Sequence, residues 1–576
     1  MFSRSFPFPF RAALFALGLC AAAFSPAAGR AASEAPKPGA SSFGNYLAGR
    51  HAQAVREMGA AIAFYSAVLA REPNNPDLLR RGFILHLAEG RVADALGLAG
   101  RMDAKDAARL GFPEFLRAAD DIKNGRHAAA VKRLDALEND GLATLVVPML
   151  RGWAEMGRGD RAAAAKALNA LAGNEGMQSF LDLHGAIIAD VAGDWASAEA
   201  NYGKVIDDDG GASLRLTVLL GNLHERMGQT DKARTLYDAF IARNPDSHLL
   251  DPAARRIAEK ARPPKAEIAG PAAGAAEALF GVAGSLRQQN ARETALLFAR
   301  MALHLRPDFP PNQVLIADIL ENDGRFADAN AVYEGIAKDS PFHRATRPRI
   351  AANLDRMDRT DEAVGRLNAL AAAEAKDIEP LVQLGDILRG RKRFKEAAAA
   401  YDRAFQRIPA LDRRHWSLLY SRGIALERSD QWPRAEADFL KALEFEPEQP
   451  YVLNYLGYSW IEKRQHLERA TDMIRRAVAL RPNDGYIVDS LGWVHYQLGD
   501  YAGAAKELER AVELRPEDPV INDHFGDALW RVGRRIEARF QWERALSLKP
   551  EPDQIEPIKK KLLEGLPDDP PAGRKS

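Results

Sequence analysis

The chain repeats one pattern of apolar and small residues about every 34 positions. In its C-terminal half an apolar residue followed by Gly recurs at four places: Leu384-Gly385, Leu456-Gly457, Leu491-Gly492 and Phe525-Gly526. After three of these glycines an Ala follows twelve residues later, then a large residue four positions on, and then a Pro. Two amphipathic helices joined by a turn fit this spacing, and the Pro ends the second helix. The pattern therefore predicts tandem helix pairs.

The same register continues towards the N-terminus. The small residue of the first helix falls at Gly49, Phe83 (a large residue and the exception), Ala118, Gly152, Ala186, Gly221, Ala283, Ala317, Ala351, Gly385, Gly423, Gly457, Gly492 and Gly526. The matching residue of the second helix is Ala61, Ala95, Ala130, Ala164, Ala198, Ala233, Ala295, Ala329, Ala363, Ala397, Ala435, Ala470 (after a one-residue insertion), Ala504 and Ala538. A turn glycine often separates the two helices: Gly90, Gly125, Gly159, Gly193, Gly228, Gly324, Gly499 and Gly533.

Packing explains why such a pattern is needed. Helices of about 12–14 residues are marginal alone in water, so each must bury an apolar stripe against a neighbour. Gly or Ala at the crossing lets two helix axes approach to roughly 8–10 Å. Stability then accrues from stacking successive pairs. We predict an all-α fold, an α-solenoid of helix-turn-helix repeats, in which the first helix around Pro348 starts late because of that proline.

One break in the register separates two blocks of repeats. Between Gly221 and Ala283 the spacing fails, and Arg262-Pro263-Pro264 and Gly270-Pro271 have the composition of a linker. The predicted organisation is a degenerate block of about six repeats over 42–250, a linker over 251–275, a block of about eight repeats over 276–550, a capping helix over 551–566 and a disordered tail over 567–576. Lys559, Lys560 and Lys561 are expected on the solvent side of the capping helix.

The N-terminus has the pattern of an export signal. Arg4 and Arg11 precede an apolar run over 12–24, and small residues offer a cleavage site after Ala27. The run is too short to span a bilayer comfortably, which takes about 20 residues. We predict a signal peptide over 1–27 and an exported, periplasmic chain without a transmembrane segment after cleavage. Cleavage after Ala31 and an uncleaved anchor stay open as alternatives.

The only cysteine, Cys20, lies inside this predicted signal. A lipoprotein signal wants a small residue just before the cysteine, and Leu19 stands there, so lipidation is not favoured. After cleavage at Ala27 the chain has no cysteine, which excludes disulfides, thiol catalysis and cysteine-ligated metals.

Charge and motifs narrow the function further. Lys+Arg and Asp+Glu number 79 each, which argues against a general nucleic-acid binder. The chain has no G-x-x-x-x-G-K-[ST], H-E-x-x-H or G-x-S-x-G motif, and the acidic turn over 207–211 lacks the remaining ligands of a calcium loop. The predicted segments leave no block of about 100–150 residues for a catalytic domain. We predict no enzyme activity, no cofactor and no metal.

The repeat resembles the tetratricopeptide repeat (TPR) family, whose pattern is W-x₂-L-G-x₂-Y, then A-x₃-F, then P. The resemblance covers nearly all of the chain after the predicted signal, and it implies a right-handed superhelix whose concave groove holds protein segments. The stretch from Ala275 to Ala545, including Asn454-Tyr455-Leu456-Gly457-Tyr458, is similar to a subgroup of exported Gram-negative TPR proteins. Some of that subgroup are outer-membrane lipoproteins that act as adaptors for periplasmic proteases.

A stripe on each first helix, rotated about one residue from the packing stripe, is expected to point into the groove. In the last three repeats it comprises Tyr451, Asn454, Tyr458, Tyr486, Asp489, Trp493, Tyr496, Gln497, Asp523, Asp527, Trp530 and Arg531. Tyr and Trp combine apolar area with a polar tip, which suits recognition. Burial of these rings against the next repeat is the alternative. The three aspartates would repel a terminal carboxylate, so the ligand predicted is a partly basic or apolar segment.

The leading hypothesis is a periplasmic scaffold or adaptor for other proteins of the cell envelope, which brings substrates to an envelope enzyme such as a protease. A glycan-binding or glycan-processing accessory factor that uses the aromatic groove is one alternative. A self-assembling structural protein is another, and a homo-oligomer stays open, as does peripheral contact with the outer membrane.

Overall fold

The computed structural model describes residues 37–567, except residues 139, 174–175, 209–211 and 246. The predicted signal peptide (1–27), nearly all of the predicted tail and most of the acidic turn lie outside the described residues. Throughout the described ranges regular secondary structure is helical and no strand occurs. The predicted all-α fold, a solenoid of stacked helix pairs, is confirmed.

The chain divides into two compact units between Met357 and Asp358. Unit 1 contains α1 (Ser42–Ala54), α2 (Met58–Leu69), α3 (Pro76–Ala88), α4 (Val92–Arg101), α5 (Ala104–Leu110), α6 (Phe112–Lys123), α7 (His127–Asp135), α8 (Ala143–Gly157), α9 (Arg161–Leu168), α10 (Gln178–Val191), α11 (Trp195–Asp208), α12 (Leu214–Arg226), α13 (Thr230–Arg243), α14 (Asp251–Ala258), α15 (Pro271–Gln288), α16 (Arg292–Leu305), α17 (Pro310–Asn322), α18 (Phe326–Glu334) and α19 (Pro341–Arg356).

Unit 2 contains α20 (Thr360–Ala373), α21 (Glu379–Gly390), α22 (Phe394–Phe405), α23 (Trp416–Glu427), α24 (Trp432–Phe445), α25 (Pro450–Glu462), α26 (Leu467–Leu480), α27 (Gly485–Gln497), α28 (Tyr501–Leu514), α29 (Pro519–Arg531), α30 (Arg535–Ser547) and α31 (Pro552–Glu564). Short 3₁₀ turns lie at Asn169–Leu171 and Arg413–His415. The predicted blocks over 42–250 and 276–550 stay predictions, since the compact units meet at a different position.

The small residues of the first helices touch the large residues of the second helices. A Cβ added at Gly423 would lie 2.5 Å from Phe439, and one added at Gly526 would lie 2.5 Å from Trp542, which is closer than van der Waals contact. Both partners are fully buried. In these two pairs a ring therefore lies against bare helix backbone, as the sixteen-residue spacing predicts.

The exception at Phe83 has a local explanation. Phe83 is fully buried, and the residue sixteen positions later, where a large side chain is expected, is Ala99. The small–large contact lies one position earlier, where a Cβ added at Gly82 would lie 3.0 Å from Leu98 Cδ1, again sixteen positions away. Pro348 gives a different outcome from the one expected: α19 starts at Pro341 and runs through Pro348. The prediction of a late start was wrong, because the helix begins with another proline, Pro341, behind the Ser340 cap.

The turn inside each helix pair has one conformation throughout. All eight predicted turn glycines have a positive φ between 72° and 86°. Where the repeat has no glycine, a residue at the same position, such as Asn290 or Lys392, takes a positive φ of about 60°. Glycine adopts this left-handed region without the steric cost that a Cβ imposes, which explains its recurrence here.

Unit 1 folds back on itself through the hairpin α15–α16. Helix α15 packs on α6, α8 and α10, and α16 packs on α3 and α6, which are first helices of the N-terminal repeats. Gly274 of α15 lies flat against the Trp153 ring, and Phe298 of α16 lies 5.2 Å from Phe112 between ring centroids. The face formed by these first helices is thus occupied by a later part of the same unit.

Charged side chains also link the region of α3 and α6 to later parts of unit 1. Arg325 donates to both carboxylate oxygens of Glu89 at 2.7 and 2.8 Å. His304 pairs with Asp120 at 3.0 Å, and Arg300 donates to the carbonyl of Ala88. No helix among the described residues is long and apolar enough to cross a membrane.

The predicted linker is partly structured within unit 1. Its first residues form α14, and α15 already begins at Pro271. Between them, the Lys265 carbonyl accepts a hydrogen bond from Asn222 at 2.8 Å, and Glu267 pairs with Arg215 at 2.8 Å. These contacts to α12 guide the chain back towards the N-terminal repeats.

Candidate binding face

The twelve predicted groove residues all lie on α25, α27 and α29, the first helices of the last three repeats; we call their common surface the C-terminal face. Its residues differ in exposure. Tyr451, Tyr486 and Gln497 are exposed, and Asp489 and Asp527 are buried. The other seven are half-buried: Asn454, Tyr458, Trp493, Tyr496, Asp523, Trp530 and Arg531. The stripe is therefore exposed at Tyr451 and Tyr486, near the N-termini of α25 and α27, and buried at Asp489 and Asp527.

An aromatic stack occupies the middle of the face. The Trp493 ring lies 4.0 Å from the His524 ring and 4.8 Å from the Tyr496 ring, at interplanar angles of 18° and 6°. Its Nε1–H donates to Glu462 at 2.6 Å. Trp493 is thereby held on three sides, and its single N–H donor is already used by Glu462.

His524 belongs to the floor beneath this stack. Its Nδ1 lies 3.0 Å from Asp489 Oδ1, and both side chains are buried. Burial by itself would lower the pKa of His524, but the Asp489 carboxylate and the nearby Asp523 and Asp527 raise it above the ordinary value. The floor therefore favours a protonated histidine beneath Trp493.

Two further aspartates form an acidic end of the face. Asp523 and Asp527 stand one helical turn apart on α29, and both contact the ammonium of Lys561. Asp527 also accepts from Trp542 Nε1 at 2.9 Å. Burial and the charge of Asp523 raise the pKa of Asp527 to about 6, against the opposing pull of Lys561.

Helix α31 brings that lysine. The sequence predicted Lys559, Lys560 and Lys561 on the solvent side, and this was wrong for Lys561, whose side chain is 19 % exposed. Exposed positions of α31 recur at Glu556, Lys559 and Leu563, so residue 561 falls on the opposite, packed side. Helical spacing could have indicated this position, because Lys561 lies three residues after the buried Ile558.

The aromatic edge at the helix N-termini is the most open part of the face. Tyr451 is 41 % exposed and Tyr486 is 51 % exposed, and Leu480 between them is also exposed. Tyr451 lines a shallow cavity of about 350 Å³ together with Leu480, Arg481 and Arg515. The Arg515 guanidinium lies 5.2 Å from the centre of the Tyr486 ring. Two adjacent repeats thus offer apolar and basic groups side by side to an incoming chain.

Groups suited to metal binding do not occur among the described residues: no set of three or more His, Asp, Glu or Cys side chains there is arranged to hold an ion. In the acidic end of the face, the ammonium of Lys561 occupies the position between Asp523 and Asp527 that a cation would take.

Comparison with known proteins agrees with the repeat geometry. Three tetratricopeptide repeat models match residues 218–247, 383–452 and 459–522. These three segments of the chain are tetratricopeptide repeats. These matches lie in both units, and the last of them includes α27, which carries Trp493.

Two curated relatives and one solved structure illustrate the likeness. The chain is 29% identical over 157 residues to a TPR repeat-containing protein from Pseudomonas aeruginosa, which covers 27% of this chain and 26% of that protein. It is 23% identical over 168 residues to the protein O-mannosyl-transferase TMTC1 from Homo sapiens, which covers 28% of this chain and 19% of that protein. The chain thus spans about a quarter or less of the length of these relatives.

The crystal structure of the APC/C hetero-tetramer Cut9-Hcn1 aligns with 91% of this chain and 96% of its own, at 15% identity and a TM-score of 0.37. A likeness at this level has no bearing on function. Its tetratricopeptide repeats suggest a protein-interaction scaffold.

Proposed function

We propose that this TPR protein is an adaptor of the cell envelope that binds polypeptide segments on its C-terminal face and brings them to an envelope enzyme such as a protease. The observation that carries the proposal is the contrast in exposure of two faces. The first helices of the N-terminal repeats are covered by α15–α16. The C-terminal face keeps Tyr451 and Tyr486 open to solvent.

The chemistry of the C-terminal face favours a segment that is apolar at one end and basic at the other. At the open edge, two tyrosines and Leu480 offer apolar contact, and tyrosine suits recognition because it joins apolar area to a hydrogen-bonding tip. At the other end, Asp489, Asp523 and Asp527 form an acidic floor. A segment bound across three repeats would meet both environments.

The proposed export rests on the charged and apolar pattern of residues 1–27. Fractionation of cells that produce the chain, with N-terminal sequencing of the recovered protein, tests it. A mature N-terminus at Ala28 in the periplasmic fraction supports export, and an intact Met1 in the cytoplasmic fraction contradicts it.

Photo-crosslinking inside the cell tests the binding face. A photoreactive phenylalanine analogue is placed singly at Tyr451 or Tyr486, and at Trp195 as a matched control. Trp195 is an exposed aromatic residue of unit 1, 39 % exposed, on the second helix α11. We expect the same crosslinked protein from both tyrosine positions and none from Trp195.

The alternatives give distinct products. Crosslinks between two copies of the chain favour a self-assembling protein. Products that shift on glycosidase treatment favour a glycan ligand. Absence of products at both tyrosine positions, with the chain folded and present, contradicts the adaptor proposal.

A further inference from the structure

Helix α31 inserts one lysine into the acidic end of the C-terminal face. Lys561 Nζ lies 2.8 and 2.9 Å from the two oxygens of Asp523 and 2.8 Å from Asp527 Oδ2. The neighbouring Lys559 and Lys560 are 53 % and 73 % exposed, and each pairs with a glutamate of its own helix. Of three consecutive lysines, α31 therefore buries one against the repeats.

The residues around Lys561 complete the contact. Leu562 and Leu566 pack against the cluster that contains Trp542. Gly565 lies so close to the Trp530 ring that a Cβ there would overlap it. Beyond the helix, the carbonyl of Pro567 accepts a hydrogen bond from Arg531 at 2.8 Å. α31 thus contacts α29 of the face by a charge and by the backbone carbonyl that follows it, while its leucines pack on the buried cluster beside the face.

The acidic end holds more negative charge than α31 supplies in positive charge. Asp489, Asp523 and Asp527 contribute three carboxylates, and α31 contributes the single ammonium of Lys561. When α31 departs, the surplus of carboxylates grows by one charge. The surface under α31 is therefore suited to a cationic side chain from elsewhere.

We propose that α31 is an exchangeable occupant of the C-terminal face, and that the face takes in its place a partner's amphipathic helix that presents a lysine next to leucines. This rests on the proposed function, in which that face binds polypeptides. Among the described residues α31 is the last helix, and a helix with a repeat on one side only opens at lower cost than an internal helix. Its tether gives it an effective concentration in the mM range, which an incoming segment must outcompete.

The chain's own sequence supplies the probe. A fluorescent peptide of residues 551–567 is titrated, by anisotropy, against the chain of residues 28–576 and two variants of it. Lys561→Glu places a negative charge beside Asp523 and Asp527 and expels α31. Lys559→Glu makes the same change of charge at an exposed position that pairs only with Glu556. We expect Lys561→Glu to bind the peptide at least tenfold more tightly than the parent, and Lys559→Glu to bind like the parent.

Specificity and exchange are read separately. A peptide that itself carries Lys561→Glu, or a chain that also carries Asp523→Asn and Asp527→Asn, is expected to lose the tight binding. Hydrogen exchange of α31 is measured in each variant, and Lys561→Met replaces Lys561→Glu if circular dichroism shows loss of helix.

Two results overturn the proposal. One is an α31 that exchanges fast in the variant while the peptide binds no better than to the parent. The other is tight peptide binding that is unchanged by substitution of Lys561 in the peptide and of Asp523 and Asp527 in the chain. Neither depends on Tyr451 or Tyr486, so failure here is distinguishable from failure of the proposed adaptor function.

Discussion

The N-terminal repeats of unit 1 and the last repeats of unit 2 share one helix-pair register but use their first-helix faces differently. In unit 1, α15 and α16 lie across α3, α6, α8 and α10, and the contact buries Phe298 and Met301 completely. In unit 2, a single helix, α31, covers the end of the C-terminal face and leaves Tyr451 and Tyr486 exposed. The same architecture therefore serves as a core in one region and as an accessible surface in the other.

The two regions also differ in the pKa of a buried histidine. Trp153 Nε1 donates to His184 in unit 1, where burial alone lowers the pKa of that histidine to about 4. In unit 2, His524 is equally buried but sits beside Asp489, and its pKa is raised. The two buried histidines therefore differ in pKa because only His524 has a carboxylate partner.

The largest expected effect comes from forcing unit 1 open. Gly274→Leu drives a side chain into the Trp153 ring, and overpacking of this kind costs about 3 kcal/mol or more. Hydrogen exchange followed by mass spectrometry should show faster exchange in α6, α8 and α15, with unit 2 unchanged. Gly284→Leu on the same helix is the matched control, since a Cβ there meets open space. Equal effects of the two variants would show that α15 is not held in place by this contact.

Acidification should affect the two units in opposite ways. The pKa of His184 in the folded chain is about 4, below the ordinary value near 6.5. Its contribution to the stability of unit 1 is therefore present above pH 6.5 and is lost as the pH falls towards 4. At pH values near 4 and below, the free energy of unfolding of unit 1 is lower by about 3 kcal/mol for this reason. The raised pKa of His524 means that its contribution is present below about 6.5 and is lost as pH rises through the folded value.

Hydrogen exchange of each unit between pH 4 and pH 8, corrected for the intrinsic rate, measures both trends. His184→Phe and His524→Phe should flatten the pH dependence of unit 1 and unit 2 respectively. A profile that keeps its slope in His184→Phe would assign the acid sensitivity of unit 1 to another group.

A smaller effect is expected from the ion pair at the margin of the hairpin. Arg325→Ala removes both hydrogen bonds to Glu89, a pair whose side chains are only 11 % and 17 % exposed, and should destabilise unit 1 by about 2 kcal/mol. Arg359→Ala removes an equally bidentate but exposed pair with Glu362 and should leave stability unchanged within error. The two variants are compared by thermal unfolding, followed through the hydrogen exchange of peptides that belong to each unit. Similar losses of stability in the two variants would contradict the expected difference between a largely buried and an exposed ion pair.

The smallest effect on stability is expected at the open edge of the C-terminal face. Tyr451→Ser with Tyr486→Ser should change the free energy of unfolding by no more than about 0.5 kcal/mol, because exposed side chains away from the core contribute little. Binding of the partner identified by crosslinking should nevertheless fall. A large drop in stability without loss of binding would assign these rings to the core instead.

Spacing along the chain was sufficient for the local architecture. A small residue in the first helix and a large one sixteen positions later predicted the contacts of Gly423 with Phe439 and of Gly526 with Trp542. The turn glycines followed too, because glycine takes the positive φ that ends each first helix without the steric cost of a Cβ. These features depend on residues close in sequence, so a repeating pattern is enough to specify them.

For the C-terminal face, the sequence identified which helices and which stripe to consider, but not which side chains stay exposed. Asp489 and Asp527 are buried, whereas Tyr451 and Tyr486 are open, although all four fit the same stripe. Exposure depends in part on α31, whose Lys561 contacts Asp527 and Asp523, residues 34 and 38 positions earlier in the chain.

What the sequence determined by itself is therefore the repeat: helix pairs, their register and their turns. Only the tertiary structure decided what each face contacts. Phe298 meets Phe112 across more than 180 residues, and no periodicity of about 34 residues encodes such a partner. Whether a first-helix face becomes core or surface depends on which distant segment has the charge and shape to cover it, and that is settled by packing in three dimensions.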